Sequence, residues 1–182
     1  MYLKDMKLFQ VRGILISEAV DSSTAERVVR DLLILDEENK EPIKIYINSP
    51  GGEVNSGFAI FDTIRFIDSE VKVVNIGLCA SIATIINIAA KKENRFAMPN
   101  SKFLIHQPLI SGQVIGPASD IEITANQILK TRERLNQLLA EECGQDLKKV
   151  EEDTVRDYWM TAPEACDYGL VTRVVRSKKE IQ

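Results

Sequence analysis

Short apolar, β-rich runs alternate with amphipathic segments along most of this chain. The runs Ile43–Ile47 and Val71–Ile76 predict strands, and Gly77 is expected to end the second one. Apolar residues at roughly helical spacing from Val28 to Leu35, and again over Asn55–Ile67, predict helices. Strands that alternate with helices are typical of a layered α/β domain with parallel strands, whose loops carry the functional site.

Local signals predict where other elements begin and end. Ser23 and Glu26 have the spacing of a capping box at the start of the first helix. Gly144 is expected to end the longest helix in a left-handed conformation. The charged tail from Arg176 to Gln182 is expected to fray. The remaining predicted elements are, in chain order, a buried helix over Ser81–Ala90, strand pieces at Phe96–Met98 and Lys102–Ile105, a long helix from about Ser119 to Glu142, a further helix pair, and a closing strand over Leu170–Val175.

Composition narrows the class of protein. A length of 182 residues with 45% hydrophobic content predicts a single domain over residues 1–182. The net charge of −4 argues against nucleic acid as a partner. The longest apolar run, Ile82–Ala90, is far shorter than the ~20 residues of a membrane span. Three cysteines without a C-x-x-C pair fit free thiols in a reducing compartment, and no signal-peptide core is seen, so we expect a cytoplasmic protein without membrane attachment.

The single histidine limits the possible chemistry. His106 follows an apolar run and precedes Gln107-Pro108, where a predicted strand stops. A metal site built from two or three histidines is excluded, and no metal site is predicted. On this segment alone, His106 fits either an ordinary structural histidine or the acid–base group of an active site.

Two neighbouring segments have a structural and a catalytic interpretation. Ser81 at a helix start is either a helix cap or a nucleophile near the positive end of the helix dipole. The turn Asn48-Ser49-Pro50-Gly51-Gly52 is either an ordinary tight turn or one half of an oxyanion hole. In the catalytic interpretation, the second oxyanion donor is the backbone N–H of Ile82.

A serine–histidine pair also needs a carboxylate. The acidic stretch from Glu151 to Asp157 offers Asp153 and Asp157, and spacing alone does not choose between them. Cys79 is a less favoured alternative nucleophile, because it lies among apolar neighbours two residues before the helix start.

Several blocks together resemble one family, the proteolytic subunits of the Clp protease (ClpP). The resemblance runs in order from about Gly13 to Val175, and the agreement of separate blocks is far more specific than any one of them. The blocks are Tyr46-Ile47-Asn48-Ser49-Pro50-Gly51-Gly52, Ala80-Ser81, Met98-Pro99-Asn100-Ser101, Ile105-His106-Gln107-Pro108-Leu109 and Glu152-Asp153-Thr154-Val155-Arg156-Asp157.

The resemblance implies a serine endopeptidase that cuts unfolded polypeptides. By motif match, Ser81 is the expected nucleophile, His106 the general base and Asp157 the third member of the triad. Gly52 and Ile82 fall on the oxyanion-hole positions. The implied fold is the ClpP/crotonase-like spiral of ββα units with a protruding handle helix.

The resemblance also implies an assembly. Family members form two stacked heptameric rings, and an AAA+ unfoldase feeds them with substrate and uses the ATP, so no cofactor is expected in this chain. Residues 1–12 would be a short N-terminal arm and residues 109–143 a handle that joins the rings. Arg156 falls on a ring–ring contact position. The positions implied for the unfoldase-docking pocket are Tyr46, Phe66, Ile76 and Phe96, for which core packing is the other interpretation.

Three departures from the family pattern keep alternatives open. Ile82-Ala83 stands where the family commonly has Met-Gly, and the β-branched residue is stiffer. The segment from Leu109 to Ser119 is about two residues longer than usual, and the arm before Gly13 is short. A ring subunit that is active only beside a second paralogue therefore remains an alternative, as does a crotonase-like acyl-CoA enzyme with a carboxylate base.

Overall fold

The computed structural model describes residues 3–110, 112 and 114–181. Within these residues the chain forms seven α-helices and seven β-strands, which confirms the predicted α/β class. The helices are α1 (Leu3–Gln10), α2 (Ser22–Glu38), α3 (Val54–Phe66), α4 (Ile82–Ala89), α5 (Ala118–Cys143), α6 (Leu147–Asp153) and α7 (Ala162–Tyr168). The strands are β1 (Gly13–Ile16), β2 (Ile43–Ser49), β3 (Val71–Ala80), β4 (Arg95–Ala97), β5 (Lys102–Ile105), β6 (Tyr158–Thr161) and β7 (Arg173–Val174).

The long strand β3 organises the sheet. Its first half pairs with β4 from Val73 to Asn75, and its second half pairs with β5 from Leu78 to Ala80. The sheet order is β1-β2-β3-β4-β7. After Asn75, β5 replaces β4 as the neighbour of β3, and β6 pairs with β5 in this branch of the sheet. All pairings are parallel except β5 with β6. The branch carries two strand ends to the place where β3 itself ends.

One apolar core joins the sheet to its helices. Fully buried members include Ile45 on β2, Leu32 on α2, Ile60 on α3, Ile86 on α4 and Phe103 on β5. Helix α4 is buried over its whole length. Its first residue, Ile82, therefore has a position that the core fixes.

The structure corrects several element boundaries. Strand β3 continues through Gly77 to Ala80, because Leu78 donates its N–H to the Asn48 side chain and β5 pairs alongside. Strands β1 and β6 were not predicted. The cap of α2 is Asp21, which accepts the Thr24 N–H at 2.8 Å, and the predicted Ser23–Glu26 capping box is wrong.

The end of the chain is also more ordered than its charge suggests. A 3-10 turn over Lys178–Ile181 buries Ile181 to 4% exposure against Val74, Phe96 and Val175, so the expected fraying is wrong for residues 176–181. Gln182 lies outside the described residues. Only Arg173–Val174 of the predicted closing strand forms a strand.

The predicted arm and handle are described in part. Helix α1 occupies most of the arm, and Met1 and Tyr2 lie outside the described residues. The handle prediction covers α5, which ends at Gly144 with a φ of 69° as expected, and Ser111 and Gln113 lie outside the described residues. Among the described residues, no helix combines the length and the apolar character that crossing a membrane requires.

Candidate active site

Ser81 lies in a strained turn between β3 and α4. Its φ of 56° and ψ of −128° are unusual for a residue with a side chain. Its N–H donates to the Leu104 carbonyl at 2.8 Å, and its carbonyl accepts both the N–H and the hydroxyl of Thr84. The Ser81 side chain makes no helix-capping hydrogen bond. A sharp strand-to-helix turn of this kind presents a serine hydroxyl outward at the positive end of a helix.

Gly51 allows a second loop to approach this turn. Its φ is 87°, and a Cβ at this position would lie 2.5 Å from the Ala80 carbonyl oxygen and 2.7 Å from the Ser81 Cβ. A side chain is therefore excluded both by backbone conformation and by space. The glycine turn predicted from the sequence packs directly against Ser81.

Two backbone N–H groups belong to the segments that meet at Ser81. Val20 pairs with the glycine turn through the Gly51 carbonyl and the Glu53 N–H, so the Gly52 N–H points away from Val20. Ile82 is the first residue of α4, and the N–H groups of a first helical turn have no acceptor within their helix. These are the donors that the sequence predicts for an oxyanion hole.

Strand register brings His106 and Asp157 together. The last pair of the antiparallel β5–β6 ladder is Ile105 with Tyr158, so the next positions outward are His106 and Asp157. The His106 Nδ1 lies 3.2 Å from the Asp157 Oδ1. The His106 side chain is 17% exposed and that of Asp157 is 62% exposed. With Nδ1 facing a carboxylate, Nε2 is the ring nitrogen left for a serine hydroxyl.

Asp153, the other candidate carboxylate, is engaged elsewhere. It accepts hydrogen bonds from the Tyr168 hydroxyl at 3.0 Å and from Lys149 at 2.5 Å. The pKa of Tyr168 is raised by burial and by the nearby Asp153 carboxylate. Asp153 therefore belongs to a contact between α6 and α7, and the structure brings Asp157 rather than Asp153 to His106.

Ser81 and His106 line one small apolar cleft. Its volume of about 20 Å³ is enough for roughly one water molecule. Side chains from α3, α4 and α5 close it, and its apolar walls are Val54, Ile82, Ile85, Ile105, Pro108, Leu135 and Leu139. The arrangement offers a hydroxyl, an imidazole and an apolar recess side by side.

Cys79 lies inside β3, one residue before its end, and is too deeply buried to react. It is fully buried within β3, where it pairs with Ser49 and Phe103. Burial raises the pKa of its thiol well above the ordinary range. A thiolate is the reactive form of cysteine, so this position does not suit a nucleophile.

Sequence reasoning missed residues that hold these loops. Gln107 donates its N–H to the Thr154 carbonyl and its side-chain amide to the Val155 carbonyl. Thr84 fixes the Ser81 carbonyl. Residue spacing does not identify the contacts of Gln107, since its partners are more than 40 residues away in sequence, whereas the contact of Thr84 with Ser81 is local and depends on the turn that Ser81 adopts.

The predicted assembly residues lie in two kinds of environment. Tyr46 and Ile76 pack against the cluster that contains Phe96, whereas Phe66 is 80% exposed at the end of α3 and lies outside that cluster. Arg156 is exposed beside Asp157. The roles of these residues in docking and in ring contacts stay predictions.

Comparison with known proteins gives a consistent result. The family model described as Clp protease matches residues 2–178. A Treponema denticola protein named ATP-dependent Clp protease proteolytic subunit 2 is 47% identical, over 96% of this chain and 87% of its own length. A Rhizobium etli protein named ATP-dependent Clp protease proteolytic subunit 3 is 46% identical, over 97% and 90%. The solved structure of a Listeria monocytogenes ClpP1 point mutant superposes with a TM-score of 0.89 at 40% identity, covering 99% of this chain and 100% of that one.

Proposed function

Because the chain belongs to the Clp protease family, whose members are serine-type peptidases, we propose that it cleaves peptide bonds with Ser81, His106 and Asp157 as its catalytic triad. The observation that carries the proposal is the strand register. Ser81 follows the end of β3, His106 follows the end of β5, and Asp157 precedes β6 directly opposite His106. These pairings support the proposal because they bring the positions of Ser81, His106 and Asp157 to one edge of the sheet.

The chemistry follows from these positions. His106 Nε2 takes the proton of the Ser81 hydroxyl while Ser81 Oγ attacks the scissile carbonyl. The imidazolium later gives this proton to the leaving amine. Asp157 holds the imidazole through Nδ1 and stabilises its protonated form. The N–H groups of Gly52 and Ile82 stabilise the oxyanion of the tetrahedral intermediate. Water then hydrolyses the acyl-enzyme through the same steps.

The proposed substrate is unfolded polypeptide inside a chamber of two stacked heptameric rings. An AAA+ unfoldase supplies the substrate and consumes the ATP, so this chain itself uses no cofactor. The docking surface for the unfoldase includes Tyr46, Ile76 and Phe96, with Phe66 at a separate exposed position. Arg156, exposed beside Asp157, contributes to the contact between rings. The protein acts in the cytoplasm.

A fluorophosphonate probe tests the proposal directly. We expect covalent labelling of Ser81 in the purified full chain, hydrolysis of a short fluorogenic peptide, and loss of both in Ser81→Ala. Ser101→Ala is the matched control, because Ser101 loses a comparable hydroxyl, bonded to the Asn75 carbonyl, away from the cleft. Failure of the probe to label Ser81 in the assembled protein contradicts a serine peptidase and favours a crotonase-like use of the fold.

The second candidate function is that of a ring subunit that is active only together with a second paralogue. The relatives are numbered as subunit 2 and subunit 3, and this chain carries Ile82-Ala83 beside the nucleophile position. Size-exclusion chromatography with active-site labelling distinguishes a self-sufficient subunit from one that depends on a paralogue. An active tetradecamer of this chain alone supports self-sufficiency, and an inactive heptamer rescued by a second subunit supports dependence.

A further inference from the structure

The pairing of His106 with Asp157 needs support beyond electrostatic attraction. Asp157 is 62% exposed, and exposed ion pairs contribute little and are screened by salt. Both residues also lie just outside their strands, since β5 ends at Ile105 and β6 begins at Tyr158. Other contacts must therefore fix the two loops at the observed separation of 3.2 Å.

Gln107 supplies two such contacts. Its backbone N–H donates to the Thr154 carbonyl at 2.8 Å, and its side-chain Nε2 donates to the Val155 carbonyl at 2.9 Å. Gln107 is the residue after His106, and the two acceptors lie on consecutive residues shortly before Asp157. A single residue thus connects the segment after β5 that begins with His106 (the histidine loop) to residues 154–157 between α6 and β6 (the aspartate loop) at two successive carbonyls.

The aspartate loop is itself anchored to the core at Thr154. This residue is 1% exposed, and its hydroxyl lies 2.8 Å from the Val150 carbonyl and 3.0 Å from the Asn136 side-chain oxygen. Asn136 is 4% exposed on α5. Gln107 therefore attaches the histidine loop to a fixed point rather than to a second loop that is free to move.

We infer that Gln107 is a positioning residue, whose side-chain amide holds the Asp157 loop against His106 and thereby sets the orientation of the imidazole. It acts through Asp157 and touches no substrate. Its kinetic consequence rests on the proposed function, whereas its effect on the imidazole does not. A displacement of about 1 Å at a catalytic group can cost about 100-fold in rate, so the loss of this amide is expected to lower kcat by about 10- to 100-fold.

Gln107→Met tests the inference, because methionine has a similar length and cannot donate the hydrogen bond. Gln145→Met is the matched control: Gln145 donates its Nε2 to the Tyr168 carbonyl at 2.8 Å, away from the cleft. We expect Gln107→Met to lower kcat by about 10- to 100-fold with KM within about twofold. Gln145→Met should keep kcat and KM near those of the wild type, although its change in melting temperature should be similar to that of Gln107→Met.

The single histidine provides a second measurement that does not depend on activity. In protein labelled with ¹³C at the histidine Cε1, the one signal from the label belongs to His106. Gln107→Met should move this signal in the same direction as Asp157→Asn, and Gln145→Met should leave it in place. If the wild type hydrolysed no peptide, the proposed function would be contradicted. The position of the histidine signal would still decide whether Gln107 positions His106. An unmoved signal in Gln107→Met overturns the inference, whether or not kcat falls, and so does a kcat equal to that of Gln145→Met.

Discussion

The conformation of Ser81 separates two roles that the same sequence position allows. A capping serine has an extended backbone and a side chain turned onto its own helix, whereas Ser81 has a φ of 56° and no capping hydrogen bond. Holding a residue in such a conformation costs about 1–3 kcal/mol, so the surrounding structure must impose it. Gly51 and Thr84 do so from either side. The sequence locates Ser81 at a helix start, but the deciding torsion depends on contacts from another loop.

Replacing Asp157 by asparagine should affect kcat, whereas replacing Asp153 should mainly affect stability. Asp157→Asn is expected to lower kcat by up to about 10⁴-fold, because the amide no longer stabilises the protonated imidazole, while the fold stays intact. Asp153→Asn weakens the contacts with Tyr168 and Lys149 and should lower stability more than kcat. Steady-state kinetics and urea unfolding of both variants measure the two effects. A larger loss of kcat in Asp153→Asn would show that the acid is wrongly assigned.

The three cysteines should differ in their reactivity towards iodoacetamide near neutral pH. Burial raises the pKa of Cys143 to about 12 and that of Cys79 further, so neither thiol forms appreciable thiolate in the folded protein. Cys166 is only partly buried and should react first. Mass spectrometry of the alkylated native protein checks this, with urea-unfolded protein as the control in which all three react. Alkylation of native Cys79 with loss of peptidase activity would instead support a cysteine nucleophile.

At the scale of elements, the missed strand β6 explains why the acid could not be chosen from the sequence. Acidic residues before Tyr158 suggest a solvated helix, and that helix does form as α6. Tyr158–Thr161 then pairs with β5 in antiparallel register, and this register alone selects the residue opposite His106. The parallel strands β2, β3 and β5 were predictable because each is a β-rich run. Short strands such as β1 and β6 are defined by their partners, which local pattern does not reveal.

The packing of α3 on α4 gives a prediction at the same scale. A Cβ at Gly57 would lie 2.1 Å from the Ile82 Cγ1, so the β-branched side chain occupies the space that the glycine leaves. Alanine favours a helix by about 1 kcal/mol over glycine, but overpacking commonly costs about 1–3 kcal/mol, and at so short a distance the clash should dominate. Gly57→Ala is therefore expected to destabilise the fold and, by moving Ile82 and Ser81, to lower kcat.

A double-mutant cycle isolates this contact. Removing the Ile82 side chain should relieve the clash, so Gly57→Ala combined with Ile82→Ala should cost less stability than the sum of the two single variants. Urea unfolding of the four proteins measures the coupling, and Ile82→Ala alone serves as the control for the cavity it creates. Strictly additive effects would mean that Gly57 and Ile82 do not limit each other.

At the scale of the whole molecule, α5 extends beyond the core that supports it. Its buried residues begin only at Leu135, although the helix starts at Ala118. Before that point, the apolar residues Ile121, Ile123 and Leu129 are between 44% and 59% exposed. Apolar side chains grouped on one exposed segment are typical of a contact surface. In the ring assembly of the family, this surface would be a contact between subunits. The same helix carries Asn136, which contacts the buried residue Thr154.

Ile123→Asp tests whether this part of α5 joins the rings. A carboxylate buried in an apolar contact would lose its hydration without a partner, so the variant should run mainly as single rings or smaller species. Asn126→Asp is the matched control, since it adds the same charge to the same exposed segment without removing an apolar side chain. Native mass spectrometry of wild type and both variants gives the masses directly. Peptidase activity should fall with the assembly, because α5 leads from the contact surface to Asn136, Thr154 and the loop of Asp157. Intact double rings in Ile123→Asp would locate the ring contact elsewhere on the molecule.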